Sequence, residues 1–280
     1  MEIQWTLVLY SLLMGLSIGP FTLLGLTDAC GKREALCKWA ALAGLGSIVL
    51  AGLSAFAHLK KPLNAIYMFS NFRSPMTQET VAVLITGLIA ALLAAMLLFG
   101  WLPGLSRRML SWAGLVMDLI SVVMIAGIYL LPARPAWNTW LLPITLLASS
   151  VANGLLLAWV LAALVPKGPG ETGREELASR LRSWALPILV AYAVLAVVFI
   201  LIAAGNAGGF SRLMTGDLAL MFWIGLVVVG LIAPAVLVWL AKKDARVMTL
   251  AAFLLVAVGG IVVRAMLFPL GVRIPIESLW

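Results

Sequence analysis

Long runs of apolar residues alternate along the chain with short stretches that carry charge, proline or glycine. Eight runs stand out, at 5–28, 38–57, 80–102, 111–132, 139–165, 185–204, 217–241 and 247–268. A helix needs about 20 mostly apolar residues to cross a hydrocarbon core of about 30 Å, and each run supplies them. Val81 to Phe99 and its counterparts are apolar on every side rather than at alternate positions, so they predict helices and not the strands of a membrane barrel. The pattern predicts an all-α integral membrane protein: a bundle of eight transmembrane helices in a single polytopic domain over 1–280. Gly19-Pro20, Pro143, Pro187 and Gly259-Gly260 fall inside these runs, where neighbouring helices tolerate a kink and glycine admits close approach.

Composition narrows the class. Hydrophobic residues make up 64% of the chain and charged ones 11%, which excludes soluble enzymes, nucleic-acid binders and disulfide scaffolds. The net charge of +8 forms no patch, because the basic residues punctuate the runs and read as topology signals. Twelve of the 19 Lys and Arg lie in the odd-numbered connections: Lys32, Arg33, Lys38, Arg107, Arg108, Lys167, Arg174, Arg180, Arg182, Lys242, Lys243 and Arg246. Those connections are therefore expected on the cytoplasmic side and both termini outside, although the second loop alone holds Lys60, Lys61 and Arg73. Met1-Glu2-Ile3-Gln4 has neither the basic region nor the cleavage site of a secretory signal, so the first run is expected to stay as a span. Cys30 and Cys37 form no CxxC motif or ferredoxin-type run, so any iron–sulfur centre belongs to another chain.

Candidate chemistry concentrates in the second loop, 58–79. His58 is the only histidine, which removes bis-histidine haem and multi-histidine zinc sites. An imidazole at the membrane interface can accept a proton from a hydroxyl of a lipid-soluble substrate, and Glu79 adds a second titratable group at the far end of the loop. The plainer reading of His58 is an interfacial residue anchoring a helix end. Within the runs, Asp118 lies about 15 Å deeper than Arg108, fit either for a proton path or for a hydrogen-bonded structural carboxyl. Arg264, one turn before the end of the last run, can snorkel to the interface or reach the second loop. Ser149-Ser150 and Asn153 are expected to bond between helices, and Glu175 to Arg182 to form a short surface helix in the fifth loop.

The segment His58-Leu59-Lys60-Lys61-Pro62-Leu63-Asn64-Ala65, followed by Ser74-Pro75-Met76-Thr77-Gln78-Glu79, resembles the membrane anchor subunit family of dimethyl sulfoxide reductase. The closing run Gly259-Gly260-Ile261-Val262-Val263-Arg264-Ala265-Met266-Leu267-Phe268 is similar to that family's glycine-rich, arginine-bearing last span. The resemblance implies a prokaryotic inner-membrane subunit of an anaerobic respiratory complex. Such a subunit oxidises menaquinol and passes electrons to an iron–sulfur subunit, which serves a molybdopterin-containing catalytic subunit. No haem or metal is expected in this chain. The family's quinol-site histidine falls on His58 and its acidic residue on Glu79. Lys60 replaces a glycine common among relatives and Asn64 an arginine.

On this reading neutral His58 takes a proton from bound quinol and Glu79 relays protons to the outer aqueous phase. Lys60, Lys61, Arg73 and Arg264 are secondary candidates for stabilising negative charge on a quinone oxygen, against a plain role in lipid or partner anchoring. Tyr67 and Phe72 are weak candidates for packing on a quinone ring. The alternative function is an eight-helix secondary transporter, disfavoured because no internal repeat is visible and the densest polar group lies at one surface rather than near the midplane. A purely structural anchor would leave His58 and Glu79 merely interfacial.

Overall fold

The computed structural model describes residues 2–27, 33–100, 104–168, 171–241 and 246–271. Cys30, Lys32, Lys242, Lys243 and Arg273 lie outside the described residues. In chain order the helices are α1 (Trp5–Leu16), α2 (Ile18–Leu26), α3 (Glu34–His58), a 3-10 helix (Pro62–Ser70), α4 (Pro75–Phe99), α5 (Gly104–Gly127), α6 (Leu141–Leu164), α7 (Arg174–Asn206), α8 (Phe210–Met214), a π-helix (Met221–Ile232), α9 (Ala233–Leu240) and α10 (Arg246–Leu270). They supply eight spans long and apolar enough to cross a membrane, and no strand occurs among the described residues.

The first span is two helices, not one. Pro20 has no N–H for the carbonyl of Leu16, and Ser17 donates its hydroxyl to the carbonyl of Met14 at 2.6 Å, so the ladder is interrupted at Ser17. This broken span is the most buried of the eight. It packs on α6 with almost no side chain between the backbones: a Cβ at Gly15 would lie 2.2 Å from Ser150 Oγ, and one at Gly19 would lie 1.9 Å from the Gly154 carbonyl oxygen. Gly15 and Gly19 thus face Ser150 and Gly154, each pair spaced by four, the small-residue contact by which membrane helices approach closely. A second such contact joins the π-helix to α10, where a Cβ on Gly230 would meet Gly259 Cα at 2.5 Å.

The expected surface helix at Glu175 to Arg182 is not separate. It is the opening of α7, which runs unbroken for 33 residues through Pro187. Leu177, Leu181, Ala185 and Leu189 are all buried at a spacing of four, so one apolar stripe continues from the connection into the span and holds the helix together. The head of α7 is fastened by Arg174, which is buried, pairs with Glu171 at 2.6 Å and donates to the Val165 carbonyl. Arg33 reaches the same connection, donating to the carbonyls of Thr172 and Gly173 at 3.0 and 2.9 Å.

These contacts define two ends of the bundle. At one, Arg33 before the head of α3 meets the connection that leads into α7. At the other, the fourth and sixth connections meet the end of α10: Asn206 donates to the Pro135 carbonyl at 3.3 Å, and Arg212 donates to the Pro269 carbonyl at 3.2 Å. Arg212 also pairs with Asp217, which holds that carboxyl below its ordinary range and the guanidinium above its own.

The α1–α2/α6 seam yields a direct test. Gly19→Ala sets a methyl against backbone that cannot step aside and should cost about 1–3 kcal/mol, whereas Gly46→Ala, with nothing within 4 Å of its Cβ, should not destabilise. Thermal unfolding of the detergent-solubilised protein separates the two.

Candidate functional site

The second loop is tied to the head of α4. Thr77 Oγ1 donates to the Met68 carbonyl at 2.7 Å, Gln78 Nε2 to the Phe72 carbonyl at 3.2 Å, and the Asn71 side-chain oxygen accepts from the Arg73 amide at 3.1 Å. Lys60, Lys61, Asn64 and Arg73 are exposed, as are Ile66, Tyr67 and Phe72. Glu79, one turn into α4, is buried.

His58 and Glu79 are each contacted by α1, in which the sequence singled out no polar side chain. Thr6 Oγ1 lies 3.2 Å from His58 Nδ1, and the Thr6 carbonyl accepts from Ser54 Oγ at 2.8 Å, so α1 is held against the end of α3. One turn along the same face, the Tyr10 hydroxyl donates to Glu79 Oε1 at 2.5 Å. The exposed imidazole and the buried carboxyl are therefore partnered by consecutive turns of α1.

The next residue of α1, Ser11, belongs to a second polar centre. Arg264 Nε donates to Ser11 Oγ at 2.9 Å, Nη1 to Ser149 Oγ at 2.9 Å and to the Gly260 carbonyl at 3.0 Å, and Nη2 to Ser150 Oγ at 3.2 Å. Arg264 is 2% exposed, so the expectation that it snorkels to the interface or reaches the second loop is corrected: it turns inward and joins α10 to α1 and α6. The forked guanidinium suits this task because it offers five donors in a fixed plane. Among the described residues no carboxylate pairs with it, so this buried cation is held by neutral oxygens alone. Ser149 and Ser150 do bond between helices as expected, whereas Asn153 donates to the Ser149 carbonyl of its own helix at 2.8 Å.

Beside Arg264 lies a small pocket of about 10 Å³, room for about one water, lined by Leu7, Ser11, Tyr129, Arg264, Leu267 and Phe268 among others. The fourth connection packs against the end of α10 beside it. Trp137 Nε1 donates to the Leu267 carbonyl at 2.7 Å, Trp137 packs edge-on against Tyr129 and Phe268 with centroids at 5.3 and 6.2 Å, and the Arg134 guanidinium sits 4.1 Å from the Trp137 ring centre. Deeper in the bundle, Asp118 is fully buried and its Oδ2 accepts from Ser17 Oγ at 2.5 Å.

Thr6, Tyr10, Ser11 and Tyr129 were missed by sequence reasoning, because tyrosines at span ends read first as interfacial anchors. The available signal was the i, i+4 spacing of Thr6 and Tyr10 in an otherwise apolar run. Among the described residues no group of three His, Cys, Asp or Glu could hold a metal ion.

A bundle of eight spans with polar side chains buried between its helices defines a polytopic membrane protein. The family comparison is specific: residues 1–275 match the model described as Polysulphide reductase, NrfD, and the chain belongs to this family. It is the membrane-anchor family of molybdopterin oxidoreductases, whose members are quinone-interacting subunits, in agreement with the resemblance drawn from the second loop and last span. None of the curated proteins matches the chain.

Because Arg264 serves three serine hydroxyls and two carbonyls, Arg264→Lys should not replace it: a single ammonium cannot span those partners, and loss of about 1–3 kcal/mol is expected. Thermal unfolding of the purified protein measures it; an unchanged midpoint would show the fork to be dispensable.

Proposed function

We propose that this chain oxidises menaquinol at the end of the bundle that holds the second loop and passes the electrons to an iron–sulfur subunit, which supplies a molybdopterin-containing catalytic subunit in anaerobic respiration. On this reading it is a multi-pass subunit of a prokaryotic inner membrane of the dimethyl sulfoxide reductase type, with the second loop on the outer side as the distribution of Lys and Arg predicts. The observation that carries it is the face of α1. Thr6, Tyr10 and Ser11 bring His58, Glu79 and Arg264 to one end of one helix, beside a pocket with apolar walls.

The chemistry follows from the partners. His58, exposed at the end of α3, takes a proton from a quinol hydroxyl, and Thr6 orients the ring through Nδ1. Glu79, buried and held by Tyr10, is a second proton acceptor in a setting shielded from bulk water. Arg264 supplies positive charge to an oxygen of the oxidised ring, at no further cost of orientation because its fork is already fixed. Lys60, Asn64 and Arg73 frame the exposed loop and act on approach and binding. The secondary-transporter alternative loses ground to the family match over residues 1–275, which is to an electron-transfer anchor family.

Menaquinol-dependent reduction by the assembled complex tests the proposal. Glu79→Gln should lower quinol turnover by about 100-fold and His58→Ala by at least about tenfold, while reduction by an artificial donor to the catalytic subunit stays at the wild-type rate. Lys60→Ala and Arg73→Ala should raise KM in a salt-dependent manner with kcat changed by less than about threefold. Unchanged quinol turnover in both His58→Ala and Glu79→Gln would remove the site from this end of the bundle.

A further inference from the structure

The second loop holds a charge that topology does not explain. Lys60, Lys61 and Arg73 are exposed, no Asp or Glu occurs anywhere in 58–78, and among the described residues no carboxylate pairs with any of the three. The fifth connection, by contrast, pairs Lys167, Arg174 and Arg180 with Glu175, Glu171 and Glu176. Membrane proteins concentrate Lys and Arg on the cytoplasmic side, and on the orientation that their overall distribution predicts, the second loop lies on the other. Three uncompensated cations in one short loop on that side call for an anionic partner.

The setting of these cations is amphipathic. In the 3-10 helix Pro62–Ser70, side chains three apart eclipse, which puts Ile66 and Phe69 on one ridge. Phe72 extends that ridge, its ring lying 6.4 Å from the Phe69 ring between centroids. Asn64, Tyr67 and Ser70 form the ridge beside it. Ile66, Tyr67 and Phe72 are 70, 71 and 65% exposed, more open than Leu88, at 60% an outward side chain in the middle of the α4 span. The loop does not hang free, because Thr77 and Gln78 at the head of α4 hold the Met68 and Phe72 carbonyls. An apolar ridge is thus presented in a fixed place with nothing in the chain to cover it.

We propose that the second loop is a binding site for anionic phospholipid: the ridge of Ile66, Phe69 and Phe72 enters the boundary between acyl chains and head groups, and Lys60, Lys61 and Arg73 hold the head-group phosphates. The loop leaves one span at His58 and enters the next at Pro75, so it lies at the level where hydrocarbon gives way to head groups. An apolar ridge flanked by cations and a tyrosine is the composition of segments that lie in that boundary. There the ridge leaves water, and each cation favours a negatively charged lipid surface by about fivefold. A protein partner is a poorer match, because the cores of protein interfaces are depleted in lysine and this ridge is bracketed by Lys60 and Lys61 on one side and Arg73 on the other. The bound lipid fixes the depth of the second loop in the membrane, and the site is independent of the roles given to His58 and Glu79.

The test uses the assembled complex in vesicles of equal parts phosphatidylglycerol and phosphatidylcholine, with the photoreactive residue p-benzoylphenylalanine in place of Ile66 or Phe72, and in place of Leu88 as the reference for ordinary lipid contact. After illumination, mass spectrometry identifies what is joined to each position. At 66 and 72 the adducts should be phospholipid, with phosphatidylglycerol over phosphatidylcholine at least about fivefold above the ratio at 88. Lys60→Gln, Lys61→Gln and Arg73→Gln together should bring that ratio down to the value at 88 while the subunits still assemble. Adducts at 66 and 72 to a partner subunit would overturn the proposal and make the ridge a protein interface. It would equally be overturned by lipid adducts with the same ratio as at 88, or by no lipid adduct at 66 and 72 in complexes whose position 88 reacts.

Discussion

The arrangement depends on the close contact between the broken first span and α6. Gly15 and Gly19 let its backbone lie against Ser150 and Gly154, and any larger side chain there would enter occupied space. In lipid the hydrophobic effect gives no reason for apolar helices to associate, so such packing, with hydrogen bonds between helices, has to hold the bundle together. With α1 fixed this closely, its successive faces are committed: Thr6 and Tyr10 to α3 and α4, Ser11 to Arg264 on α10, and Ser17 to Asp118 on α5. The central helix is thereby also the hub for the bundle's polar side chains.

Arg264 shows how the cost of charge in a membrane is met here. Removing a guanidinium from water is expensive, and the usual remedy is an acidic partner. This one is surrounded instead by three serine hydroxyls and two backbone carbonyls, which supply hydrogen bonds without cancelling its charge. The result is a positively charged floor to a pocket whose walls are otherwise largely apolar. Neutral oxygens stabilise the cation without cancelling its charge.

Span number and helical character were legible in the sequence, because long apolar runs are local signals. The kink at Ser17 was half legible: Gly19-Pro20 predicts one, but not that the freed turn would seat Asp118. The unbroken α7 was misread because Glu175 to Arg182 is charged enough to look like a separate surface piece, while the stripe Leu177, Leu181, Ala185 and Leu189 that carries it into the span shows only when the segments are read together. Arg264 was placed at the interface because a residue near a span end can snorkel, and nothing local reveals three serines on two other helices. The same limit hid Tyr10, whose partner is 69 residues away.

The central claim is that quinol is handled on the α1 face at the second-loop end. Labelling the assembled complex with a photoreactive menaquinone analogue, followed by peptide mapping, tests it most directly. Label should fall on 6–11 of α1, on the head of α4 around Glu79, or on the Tyr129 and Phe268 walls, and excess menaquinone should compete it away. Competable label confined to the opposite end, on the stretch from Arg107 to Trp112 or the head of α7, would contradict the account.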